Sequence, residues 1–153
     1  MAPHAAAATR PALGLTLDCA DPGAQARFWS IALGYEEAAP PDGWATWAAF
    51  LTDQQVPEAE WNDGAAIADP GGVLPSISLL KVPEPKQAKN RLHLDVKVSG
   101  GRNIDPARRT HRINTKVDEL FAAGATVYER YHTGGHLDHV IMLDPEGNEF
   151  CVV

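Results

Sequence analysis

Leu13-Gly14-Leu15-Thr16-Leu17-Asp18 alternates apolar with small or polar side chains, the period of a strand with one buried face. Asp21-Pro22 then opens a helix, because Asp offers an N-cap oxygen and Pro fits the first helical position. Phe28, Trp29, Ala32 and Leu33 form its apolar stripe, and Gly34 ends it. Strand-like sequence is predicted at 44–51, a polar loop over 53–64, a turn at Asp69-Pro70-Gly71-Gly72 and a strand at 77–82. Pro83 and Pro85 cannot serve a sheet ladder, so 83–89 reads as a linker.

After the linker the pattern restarts. Residues 92–98 alternate again, and Asp105-Pro106 opens a second helix that continues through Val117, Leu120 and Phe121 to Gly124. Strands are predicted at 125–131, 139–143 and 149–153, separated by Gly134-Gly135 and by Asp144-Pro145-Glu146-Gly147. Leu15-Thr16-Leu17-Asp18 matches Leu92-His93-Leu94-Asp95, and Asp69-Pro70-Gly71-Gly72 matches Asp144-Pro145-Glu146-Gly147. An order of strand, helix and three strands, given twice, predicts an α+β fold. Two βαβββ modules, about 11–82 and 90–153, form a curved, mostly antiparallel sheet around a cup. Residues 1–10 are expected to be a flexible tail, and 11–153 a single domain.

Strand alternation sorts the side chains. Leu13, Leu15 and Leu17 face the first helix, and Leu92, Leu94, Val96 and Val98 face the core beside the second. Gly14, Thr16, Asp18, His93, Asp95, Lys97, Glu149 and Cys151 fall on the opposite face, with Phe150 and Val152 inward. If the sheet curls, that opposite face lines a small-molecule cup; if it stays open, it is a solvated surface.

The composition narrows the function. The chain has 153 residues and a net charge of −7, against the basic face that nucleic-acid binding needs. The interval Phe28 to Leu80 holds eight acids and no Lys or Arg. Residues 91–153 carry eight bases and nine acids, so the charge belongs to the first half. Cys19 and Cys151 do not make a disulfide framework, and neither a secretory leader nor a membrane span is evident, which suggests a cytoplasmic protein. Trp44, Trp47 and Trp61 stand in the acid-rich half, and strand parity puts Trp44 and Trp47 on opposite faces, one entering the cup. Such an aromatic, acidic wall suits a flat or cationic ligand; packing in the core is the plainer use of tryptophan. Arg102, Arg108, Arg109, Arg112 and Lys116 against Asp105 make a basic stretch that is either a solvated helix face or a contact with the acidic half of another subunit.

These residues reach a family. Leu17-Asp18-Cys19-Ala20-Asp21-Pro22, Ala26-Arg27-Phe28-Trp29, Lys89-Asn90-Arg91-Leu92-His93-Leu94-Asp95 and Leu143-Asp144-Pro145-Glu146-Gly147-Asn148-Glu149-Phe150 resemble the vicinal oxygen chelate superfamily. That superfamily holds glyoxalase I, extradiol dioxygenases and bleomycin-resistance proteins. The resemblance covers about residues 11–153 and is nearest to glyoxalase-like domain proteins of actinobacterial type. It implies paired βαβββ modules, often combined within or across dimers, so a homodimer is expected.

The resemblance also implies a divalent metal held from four strand positions in the metal-dependent members. Here those positions fall on Gly14 or Thr16, on Ser76 or Ser78, on His93 and on Cys151, where metal-binding relatives carry Glu. His93 is the one matching ligand, with Cys151, Glu149 and Asp95 as possible recruits. His132, His136 and His139 flank a glycine turn without helical spacing, and His136 and His139 read as solvated loop residues. Cys151 as a nucleophile needs a base and an electropositive setting.

The expected function is therefore metal-independent small-molecule binding of the sequestration or resistance type. Its candidate ligand contacts are His93, Asp95, Thr16, Asp18, Trp47, Glu149 and Cys151. The alternative is a divalent-metal-dependent lyase, isomerase or dioxygenase with metal at His93.

Overall fold

The structure is a computed structural model and describes residues 12–153. The tail expected at 1–10 lies outside the described residues. The first module runs β1 (Leu15–Cys19), α1 (Pro22–Leu33), β2 (Glu36–Glu37), α2 (Trp47–Asp53), a 3-10 turn at Glu58–Asp63, β3 (Gly64–Ala68) and β4 (Ile77–Lys81). The second runs β5 (Asp95–Val96), α3 (Pro106–Ala122), β6 (Thr126–Thr133), β7 (His136–Leu143) and β8 (Glu149–Val152).

The strand orders are β1-β4-β3-β2 and β5-β8-β7-β6. In each sheet the opening strand pairs in parallel with the last strand of its module, and the other pairs are antiparallel. The repeat read in the sequence is thus a repeat of topology. The strands form two four-stranded sheets and do not close into a barrel.

The Asp-Pro device works at both helices. The Asp21 carboxylate accepts the Ala24 N–H at 3.1 Å, and that of Asp105 accepts the Arg108 N–H at 3.0 Å. Each gives a partner to an N–H that the first helical turn leaves free. The two matching turns share a mechanism as well. Asp69 accepts the N–H groups of Gly71, Val73 and Leu74, and Asp144 accepts those of Glu146 and Asn148.

Core parity holds on the strands that pair. Ile77, Leu79, Val96, Phe150 and Val152 are buried, and Leu15 and Leu17 pack against them. Phe28, Trp29 and Phe150 meet edge to face with centroids 5.2–5.7 Å apart, so α1 of one module and β8 of the other share one core.

Four local expectations are corrected. Residues 44–51 do not make a strand: Thr46 accepts the Ala49 N–H at 3.1 Å and starts α2. Trp44 and Trp47 are therefore not sorted by strand parity, and both meet Phe50 edge to face. The polar segment 53–64 contains the 3-10 turn. Of the strand predicted at 92–98 only Asp95 and Val96 form β5, so 92–94 and 97–98 fall outside it and Leu92 is exposed; Leu13 precedes β1 and is exposed too. His136 and His139 both belong to β7 and not to a loop, with His136 exposed and His139 half-buried.

Candidate functional site

On the first sheet, Thr16 stands opposite Ser78, and Ser78 opposite Ala66. These side chains face away from the core. Over them α2 and the 3-10 turn fold back to leave a cavity of about 540 Å³. Small residues, Gly64 and Ala66, make its floor, and Trp47, Leu51 and Trp61 make its walls. Glu37 and Glu60 supply carboxylates, and none of the lining residues is basic. The indole of Trp47 donates to the Ala38 carbonyl at 2.7 Å and that of Trp61 to the Val56 carbonyl at 3.1 Å. Both rings are thus locked by their polar edges to backbone. Fixed rings at a carboxylate-bearing wall can stack on a flat group and attract a positive one.

The second sheet carries a separate cavity of about 770 Å³. Asp95 lies opposite Cys151 in the β5–β8 register, and both line it with Lys97 and His139. His139 is fixed on two sides: its Nδ1 lies 3.0 Å from the Asp138 carboxylate, and its ring stacks on Tyr131 at 4.7 Å. Burial and then the Asp95 carboxylate push the Cys151 thiol up, so it is protonated at neutral pH.

The sequence-derived candidates are thus divided. Thr16 and Trp47 share the first cavity, Asp95 and Cys151 share the second, and Thr16 also meets Glu149 in a smaller cavity of about 200 Å³ between β1 and the start of β8. Asp18 opens toward a third, of about 460 Å³, beside the linker. Glu149 is engaged by that linker: its carboxylate lies 3.2 Å from Lys86 Nζ and 3.7 Å from Lys89 Nζ, and it accepts the Asn90 N–H at 3.0 Å. Burial alone would raise its pKa. The Asn90 N–H, its own backbone N–H and Lys86 outweigh burial and bring it down to about 2. His93 is half-buried just before β5 and lines none of these cavities.

The donors do not fit a divalent ion. Gly14 has no side chain, Thr16 and Ser78 are neutral hydroxyls paired with each other in register, and Cys151 lies on the other sheet with His93 in the segment before β5. Among the described residues no three His, Cys, Asp or Glu side chains converge to hold a metal. Glu37, Glu60, Arg102, Arg109 and Asp138 are lining residues that strand alternation did not select. Glu37 and Glu60 were visible only as part of the acidic interval, and Arg102 and Arg109 only as part of the basic stretch.

Comparison with known proteins agrees with this architecture. The structure is similar to a glyoxalase/bleomycin resistance protein/dioxygenase family enzyme from Burkholderia phytofirmans, with TM-score 0.56, 18% identity and coverage of 90% of this chain and 93% of that one. It is similar to the fosfomycin resistance protein FosX from Listeria monocytogenes, solved with Mn(II) and sulfate, with TM-score 0.58, 10% identity and coverage of 94% and 89%. It is also similar to a possible glyoxalase from Bacillus cereus, with TM-score 0.54, 16% identity and coverage of 93% and 99%. No curated protein sequence matches the chain significantly. The glyoxalase-like domain profile matches residues 14–153, nearly the whole chain, and the chain belongs to that family.

Proposed function

We propose that this protein binds a flat, cationic or neutral aromatic small molecule in the Trp47–Trp61 cavity without a metal ion. One observation carries the reading: two backbone-anchored indoles and the carboxylates of Glu37 and Glu60 line a cavity that no basic side chain enters. Thr16 and Ser78 on its floor would give the ligand hydroxyl contacts. Ligand sequestration or resistance fits such a site, since holding a ligand needs no reacting group. Cytoplasmic location is part of the proposal, supported by two unpaired cysteines.

The family's metal chemistry is the second reading, supported by similarity to FosX solved with Mn(II). Among the described residues it has no converging donor set. Elemental analysis after incubation with Ni, Zn, Mn and Fe separates the two readings. Stoichiometric metal that disappears in His93→Ala overturns the proposal.

The direct test is a thermal-shift screen of aromatic cations and neutral aromatics in metal-free buffer. A true ligand at a hundredfold excess over its Kd adds about 2.7 kcal/mol of stability. That shift is expected to vanish in Trp47→Ala and to shrink in Glu60→Gln. Shifts that ignore both substitutions refute the assignment.

A homodimer is part of the same proposal. Arg109, Arg112 and Lys116 are partly buried and bonded within the chain, so a contact with the acidic half of a second copy would fall to the exposed Arg108 and to Arg102, which stays exposed beside Asp138. Size-exclusion elution that moves with salt supports it, and a salt-indifferent monomer ends it.

A further inference from the structure

The cavity on the second sheet has chemistry opposite to that of the Trp47–Trp61 cavity. Lys97, Arg102 and Arg109 line it, against the carboxylates of Asp95 and Asp138. The cations come from three places: Lys97 follows β5, Arg102 ends a glycine loop and Arg109 projects from the first turns of α3.

Arg109 is the feature that calls for a ligand. Its side chain is only 11% exposed, and its one ion pair, to Asp138, is long at 3.5 Å. Its Nε is buried with no partner among the described residues. A guanidinium has five N–H donors, and leaving them unfilled in a desolvated place is costly. Asp138 cannot fill them. Its carboxylate is shared with Arg102 at 3.4 Å and lies nearest to His139, at 3.0 Å. The main-chain oxygen of Val153 is also taken, by the N–H groups of Val98 and Ser99 at 2.7 and 3.0 Å.

The loop beside Arg109 is held in shape. Gly100 and Gly101 have φ of +83° and +96°, which side chains other than glycine adopt at a cost. A Cβ on Gly100 would stand 2.6 Å from Arg112 Nη1, the same atom that donates to the Ser99 carbonyl at 3.0 Å. A third arginine thus braces the loop that carries Arg102 to the cavity mouth.

We propose that this second-sheet cavity binds the oxyanion of a small molecule, a carboxylate or a phosphate, with Arg109 as the buried anchor and Arg102 at the mouth. Guanidinium groups meet such oxyanions with two parallel hydrogen bonds, which Asp138 does not supply in its present position. Lys97 adds a point charge, and His139, its Nδ1 held 3.0 Å from Asp138, lines the same space. The site is independent of the Trp47–Trp61 cavity and of any metal.

Calorimetric titration of the full chain at low salt tests this, with inorganic phosphate and malonate as separate probes that distinguish the two oxyanion sources. Saturable binding of one equivalent of either probe is expected. Arg109→Gln should weaken it about tenfold or more, the loss of a charge-assisted bidentate contact. Arg102→Gln should weaken it severalfold, and because that side chain is 80% exposed the variant tests the site even if Arg109→Gln does not fold. Arg108→Gln should leave it unchanged. Absence of saturable binding of both probes overturns the proposal, as does binding that survives Arg102→Gln at full strength.

Discussion

The carboxylate of Glu146 holds the backbone N–H of Asp21 at 2.9 Å with one oxygen and that of Ala20 at 2.8 Å with the other. Glu146 belongs to the turn before β8 of the second module, and Asp21 caps α1 of the first. Among the described residues the two sheets share no hydrogen-bonded strand pair, so these two bonds, with that from Lys116 Nζ to the Ile31 carbonyl at 3.0 Å, are the polar ties between modules that also join through apolar packing. Glu146→Ala should lower stability by about 1–2 kcal/mol, the range for losing charge-assisted bonds to backbone donors. Denaturant midpoints check this. Glu84→Ala, in the exposed linker, should cost close to nothing, and equal losses in the two variants would show that the tie is weak.

Glu149 gives a stability that depends on acid pH. Its pKa is about 2 in the fold against an ordinary 4.5. A carboxyl depressed by folding stabilises fully above its ordinary value, and the contribution is lost as pH falls toward the folded value. Between about pH 4.5 and 2, then, the wild type should lose stability that Glu149→Gln never had. Asp21, Asp69 and Asp138 are also held low and add their own slopes, so the difference between wild type and variant is the quantity to measure. Parallel stability-pH curves for the two proteins would mean that Lys86, Lys89 and Asn90 do not clasp the carboxylate in solution.

Gln25 stands at the centre of the core side of α1 and is fully buried, and neither its Nε2 nor its Oε1 has a partner among the described residues. One helical turn on, the indole N–H of Trp29 is buried without a partner too. Replacing the amide with an apolar side chain of similar length removes two unpaired groups and keeps the volume. Gln25→Met should therefore raise stability by about 1–2 kcal/mol, whereas Gln25→Ala should lower it by opening a cavity. Urea unfolding of both variants is the test. A destabilised Gln25→Met would show that the amide is satisfied in solution, with trapped water bridging to Trp29 as the natural route.

How far the sequence reached depended on whether a signal was local. The Asp-Pro caps at Asp21 and Asp105 are contained in a few residues and predicted both long helices. The paired Asp turns predicted the duplicated topology for the same reason. Residues 44–51 failed because a short run of Trp, Ala, Phe and Leu fits either period; only the Thr46 cap and the helical spacing of Trp47 and Phe50 decide it. Gly64–Ala68 was missed as a strand because small side chains carry little strand preference. The candidate site was legible by face and not by grouping. Parity put Thr16, Asp95, Glu149 and Cys151 away from the core, but which of them meet depends on distant partners. Lys86 and Lys89 claim Glu149 from about sixty residues away in sequence, and Asp138 and Tyr131 fix His139 through a sheet register that no single segment contains.

The two thiols give the last prediction. Cys19 is 2% exposed, and its pKa is pushed up to about 11, first by burial and then by the carboxylates of Glu146 and Asp21. Cys151 is also raised, by burial and by Asp95 opposite it in the sheet. The thiolate is the reactive form, so folding suppresses both. In the folded protein neither should be alkylated by iodoacetamide at neutral pH, and both should react once the chain is unfolded. A raised thiol pKa stabilises the fold below the ordinary value of 9.0, and that contribution is lost as pH rises toward 11. Cys19→Ala should accordingly flatten the fall in stability over that alkaline interval. Time-resolved mass spectrometry separates the two sites. Fast labelling of Cys151 at neutral pH would mean that the base it needs is present after all, with His139 the first residue to substitute, since both line the second cavity.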